Sequence, residues 1–192
     1  MEALLRKIAL CTVCQEFLPN EPKPILSMSR ESKIIIIGQA PGRKVHESGI
    51  PWNDASGEEL RRWLNVDRNQ FYDTSIFGIM PMGFCYPGKG KSGDLPPRPE
   101  CAPLWHQLLL EQVDEVKLIL LIGNYAHKYY LKDKAYPTLT ENVLHYQEFL
   151  PMKFLPLVHP SPRNKIWQKK NPWFEEEVVP ELRRIVREAL RK

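Results

Sequence analysis

Four cysteines, Cys11-x2-Cys14, Cys85 and, after fifteen intervening residues, Cys101, are the residues most able to do chemistry on their own. Four thiolates are enough soft ligands for an iron–sulfur cluster or a tetrahedral zinc, and the other reading is four unrelated buried thiols. A shared centre would tie a short N-terminal helix to a mid-chain loop, a structural use more than a redox one. Two loops are the next candidates. Gly38-Gln39-Ala40-Pro41-Gly42 follows an apolar run directly, where glycines let a backbone approach a ligand and Pro41 stiffens the turn. It matches neither GxGxxG nor GxxxxGK[ST], so a nucleotide cofactor is not expected. Val158-His159-Pro160-Ser161-Pro162-Arg163-Asn164 sets a histidine between an apolar run and a basic stretch. A lone histidine is usually structural, but this one is placed to meet a ligand. Between the two loops, Gly49-Ile50-Pro51-Trp52-Asn53-Asp54 offers Trp52 either as a core plug or as a platform for a planar base.

The elements that must position these residues read as α/β. Lys33–Ile37 is a continuous β-branched run, the mark of a strand buried on both faces. Ile76–Met80, Leu118–Ile122 and Phe154–Val158 are three more strand candidates, and Val143–Phe149 suits an edge strand. Ser56 with Glu59 forms a capping-box pattern that opens a helix. Pro103–Val113, Tyr125–Leu131 and Phe174–Leu190 are further helices. This order predicts a mostly parallel sheet of about four strands with helices on both faces, a three-layer α/β/α sandwich. In such sheets ligands bind at the carboxyl ends of the strands, which is where both loops fall.

With 192 residues the chain suits one domain, 1–192. An apolar share of 43% excludes a disordered chain, and no run approaches the ~18 apolar residues that span a bilayer. The first ten residues are too short in apolar length for a signal peptide. These features predict a soluble, cytoplasmic protein with no membrane partner. The formal charge is +4, from 27 Lys+Arg and 23 Asp+Glu, and its distribution is uneven. Residues 161–170 carry Arg163, Lys165, Lys169 and Lys170 with no acid, and residues 86–98 carry Lys89, Lys91 and Arg98 against Asp94. Such loops serve solubility or contact a polyanionic backbone.

Taken together, the 38–42 loop, the 49–54 stretch, the cysteine layout and the HPSPRN loop resemble the uracil-DNA glycosylase superfamily. The likeness is greatest to its iron–sulfur class, often called family 4, which has a GExPG loop, a downstream G-x-P-F loop and the same cysteine spacing. Cys101-Ala-Pro-Leu-Trp105 is similar to the family's cysteine followed by a helix-opening aromatic. The resemblance implies a glycosylase-like fold and a [4Fe–4S] cluster on Cys11, Cys14, Cys85 and Cys101, with structural zinc as the alternative. It also implies a monomer whose partner is DNA containing a damaged base. Trp52 falls where the family has its base-stacking Phe. The chain also departs from the family pattern. The family's acid, Glu at the second loop position or Asp at the third, is replaced by Gln39 and Ala40. The Asn that reads the base edge has no counterpart in residues 80–85.

What the resemblance implies chemically is base excision, uracil being the first candidate. The base is flipped out of the stack onto Trp52, against Gly38, Ala40, Pro41, Gly42 and Asn53. His159 donates a hydrogen bond to the departing base as it gathers negative charge. Gln39 orients the attacking water, with Glu47, Asp54 and His46 as local alternatives. Ser161, Pro162, Arg163, Asn164 and Lys165 contact DNA, and Arg163 or Asn164 fills the gap left in the stack. Because the acid is missing, a non-catalytic protein that binds damaged or single-stranded DNA is the rival. An α/β metal-binding protein unrelated to DNA is the third reading.

Overall fold

A computed structural model describes residues 1–191. The helices are α1 (Glu2–Ala9), α2 (Arg43–Ser48), α3 (Ala55–Leu64), α4 (Arg68–Tyr72), α5 (Gln107–Leu110), α6 (Asn124–Leu131), α7 (Leu139–Leu144), α8 (Tyr146–Phe149), α9 (Lys165–Lys170) and α10 (Val179–Leu190). Wider π-type turns, Ala102–His106 and Phe174–Val178, lead into α5 and α10. The strands are β1 (Ile34–Ile37), β2 (Phe77–Ile79), β3 (Leu118–Ile122) and β4 (Phe154–Leu157). They form one sheet in the order β2-β1-β3-β4, and every pairing is parallel. Pro156, which has no N–H to give, sits on edge strand β4, where proline is tolerated.

The four isoleucines of β1 explain the layers. Side chains alternate along a strand, so consecutive isoleucines supply both faces at once. Ile34 and Ile36 pack with Leu60 and Trp63 of α3 and with Leu182 and Val186 of α10. Ile35 and Ile37 pack with Ile8 of α1, Leu109 of α5 and Ala126 of α6. All four are fully buried, each contributing ~1.5–3 kcal/mol relative to exposure. The expected three-layer sandwich around a parallel sheet is the observed fold.

Two local expectations are corrected. Residues 143–149 are not an edge strand but α7 and α8. Thr138 and Glu141 form a reciprocal capping box that starts α7, and the buried residues Val143, Tyr146 and Phe149 recur every third position, a helical spacing. Ser56 does not cap α3. Asp54, extended at φ −151°, is the cap, and its Oδ1 accepts from the Gly57 N–H at 2.9 Å. Glu59 instead bonds Arg62 and the Trp63 indole N–H.

Candidate active site

Because β1 and β4 run in the same direction, the 38–42 loop and His159 leave the same edge of the sheet. They face one cavity of about 530 Å³. Gly38, Gln39, Ala40, Pro41 and Gly42 make one side, Trp52 another, and His159, Ser161 and Arg163 a third. The floor is Ile79 and Pro81, held against the first loop by Met82 N–H to Gly38 O (2.9 Å) and Gly83 N–H to Gln39 O (3.0 Å).

Trp52 is built in by its surroundings. Its φ is +55°, a left-handed conformation a bulky residue adopts only under constraint. The Pro51 carbonyl accepts from Tyr72 Oη at 2.9 Å, and Gly57 lets the first turn of α3 lie directly on the Trp52 carbonyl. The indole edge meets Gly38 so closely that a Cβ there would stand 2.8 Å from Trp52 Cζ2. The half-buried ring packs on the core and also walls the cavity.

The His159 ring lies 5.6 Å from the Trp52 ring, tilted by 33°. Its backbone carbonyl is fixed by Asn164 Nδ2 at 2.7 Å, whereas its ring nitrogens have no protein hydrogen bond among the described residues. Burial lowers its pKa, against the opposing charge of Asp54, so the ring is neutral near pH 7. A neutral imidazole still donates one N–H.

Several sequence-predicted site residues fall elsewhere. Asn53 does not line the cavity, because Arg68 binds its side chain at 2.8 Å. Pro162, Asn164 and Lys165 are also outside the lining: Asn164 braces the loop and Lys165 begins α9. Gln39 is in place, but its amide donates to Leu95 O at 3.4 Å. Of the local alternatives for placing water, Glu47 pairs with Arg43 at the surface, and His46 lies beside Tyr86, rings tilted by 42°, outside the cavity. Only Asp54 lines it. Sequence reasoning read residues 86–98 as a basic loop but missed that Lys89, Ser92, Gly93 and Asp94 form a wall of this cavity. These lie in a hairpin whose Gly88 and Gly93 have φ of +104° and +151°.

The family model of the Uracil DNA glycosylase superfamily matches residues 27–183. The chain belongs to this superfamily. Its members generally hydrolyse the N-glycosidic bonds of DNA bases, and the match takes in both cavity loops. The basic residues suit that class of partner. Lys165, Lys169 and Lys170 are exposed on α9, and Lys89 and Arg163 stand at the cavity itself, so the two basic loops flank one opening.

The four cysteines of this glycosylase-family chain line a second, smaller cavity with Phe84, Arg98 and Trp105. Burial and the neighbouring thiols push Cys85 up to about 11 and Cys101 up to about 12. Cys14 Sγ also reaches Glu100 Oε2 at 3.6 Å. The buried Trp105 Nε1–H has no acceptor among the described residues. No three His, Cys, Asp or Glu side chains among those residues gather closely enough to hold a single metal ion. Four thiols around one cavity are the soft donors that an iron–sulfur cluster or a tetrahedral zinc takes.

Proposed function

We propose that this protein is a monofunctional DNA glycosylase that excises a deaminated base, uracil first, from DNA. The observation that carries the reading is His159, neutral and without protein partners at its ring nitrogens, facing the 38–42 loop and Trp52 across one cavity. The flipped base lies along Trp52 against the backbone of the 38–42 loop. As the C1′–N bond breaks, its electron pair moves onto the base, and the His159 N–H stabilises that charge. Preorganised donors of this kind contribute ~3–4 kcal/mol. Arg163, Lys165, Lys169 and Lys170 supply phosphate affinity without reading sequence. The monomeric protein resembles the iron–sulfur class, and Cys11, Cys14, Cys85 and Cys101 would hold a [4Fe–4S] cluster that anchors α1 to residues 85–101.

The test is a panel of single- and double-stranded oligonucleotides, each with one altered base, scored for alkali-labile abasic sites. Uracil release that His159→Ala cuts by ~10²–10³-fold, with DNA affinity retained, is the expected result. A covalent adduct trapped by borohydride, and lost in Lys89→Ala, would make Lys89 the nucleophile and overturn the monofunctional reading. Binding without cleavage of any base would leave the non-catalytic rival in its place.

A further inference from the structure

His159 answers only one demand of glycoside hydrolysis. The sugar also becomes cationic and must be attacked by water, which calls for a nearby carboxylate to balance the charge and take a proton. The 38–42 loop has none. Two carboxylates line the cavity, Asp54 and Asp94. Asp54 gives one oxygen, Oδ1, to the cap of α3 through the Gly57 N–H. The Asp94 carboxylate has no hydrogen-bond or ion-pair partner among the described residues, and its Oδ2 lies 3.3 Å from where a Cβ on Gly42 would stand.

Asp94 comes from a small hairpin. Lys89 and Asp94 form an antiparallel bridge, closed by Gly90 N–H to Gly93 O (2.6 Å) and Leu95 N–H to Gly88 O (2.8 Å). Both cavity loops grip this hairpin. Gln39 Nε2 donates to Leu95 O at 3.4 Å, and Arg163 Nη1 donates to Ser92 O at 3.2 Å. The contacts run from side chain to backbone, so they fix the hairpin's position whatever its side chains are.

We propose that Asp94 supplies the carboxylate the first loop lacks, and that Gln39 and Arg163 are positioning residues that hold it over the cavity. This rests on the glycosylase reading. As the C1′–N bond breaks and its electron pair leaves with the base, Asp94 faces the cationic sugar. It orients a water whose oxygen bonds to C1′. One proton of that water passes to the Asp94 carboxylate and, through solvent, to the departed base anion. The products are the free base and an abasic sugar. Gln39 thus acts through the hairpin, by the bond of its Nε2 to Leu95 O.

The experiment compares Asp94→Asn, Asp94→Glu and Gln39→Ala with the native protein in single-turnover cleavage, with DNA affinity and urea midpoint as folding controls. Asp94→Asn should lose ~10²–10⁴-fold in rate, the range of a general base, while affinity and midpoint hold. Asp94→Glu should recover part of the rate. Gln39→Ala should lose less, and hydrogen exchange across residues 86–95 should quicken; unchanged exchange would show that Gln39 does not position the hairpin. An Asp94→Asn protein that cleaves within threefold of native overturns the proposal alone. Native protein that cleaves no base in the panel overturns the glycosylase reading and this proposal with it.

Discussion

Gly57 sits in the first turn of α3, where replacing glycine by alanine ordinarily stabilises a helix by ~1 kcal/mol. The opposite should happen here. An alanine Cβ would stand 1.8 Å from the Trp52 carbonyl oxygen, 2.7 Å from its carbonyl carbon and 2.9 Å from its Cβ. A carbon–oxygen contact needs ~3.3 Å, so either the start of α3 or the backbone of Trp52 must retreat by about 1.5 Å. Neither can do so freely. Moving the helix start breaks the Asp54–Gly57 cap, worth ~1 kcal/mol. Moving Trp52 disturbs a residue already at φ +55° and packed on Gly38. Overpacking of this kind costs ~1–3 kcal/mol. After the propensity gain, Gly57→Ala should be destabilised by about 2 kcal/mol, read as a lowered urea midpoint. Displacing the cavity wall by an ångström should also slow single-turnover cleavage by ~10²-fold. A Gly57→Ala protein that is as stable and as active as native would refute the account of how Trp52 is held.

Protein purified without oxygen should be brown, with iron and sulfide in near-equal amounts. Trp105→Phe should keep the iron but shift the reduction potential, because hydrogen bonds to cluster sulfur set it; stoichiometric zinc in colourless protein would replace the cluster. Replacing Arg163, Lys165, Lys169 and Lys170 with alanine should flatten the salt dependence of DNA binding, by up to about 0.9 in slope for each phosphate that is no longer neutralised. An unchanged slope would remove this segment from the interface. His127 is fully buried, its Nδ1 has no partner among the described residues, and burial lowers its pKa to about 4. The unfolded chain therefore binds the extra proton first. The stability held at neutral pH is lost as pH falls from about 6.5 toward 4, by roughly 2 kcal/mol at pH 4.5. Urea unfolding of native protein and His127→Gln should show their stability difference shrinking by that amount between pH 7 and 4.5; a constant difference would count against it.

The sheet was legible because its strands are buried on both faces, and runs such as Lys33–Ile37 and Leu118–Ile122 have no helical alternative at that length. The meeting of the 38–42 loop with His159 followed from parallel strand direction alone. Residues 143–149 suit an edge strand in isolation because the segment is too short for its three-residue apolar spacing to exclude one, while the deciding Thr138–Glu141 box lies just upstream. The cap of α3 is Asp54 because the chain is still extended there, and Asp caps a helix as well as Ser does, even without the Glu of a capping box. The Asp94 wall was hidden for a different reason. A glycine-rich hairpin carries no periodicity, and what places it is contact with Gln39 and Arg163, far away in sequence.

The central position of β1 also governs how this molecule is made. Both neighbours of the four-isoleucine strand are encoded after it, and the crossovers that bring them alongside are long. A growing chain emits Ile34–Ile37 and must wait for β2 and then β3 before either edge of that strand is paired. At ~5–20 residues per second the wait lasts several seconds, during which a strand of four isoleucines has two bare edges. Fragments that end before Leu118 leave one edge open permanently. Holdase chaperones that shield apolar strands would have their binding site here, early in synthesis and well before either cavity loop has a sheet to stand on.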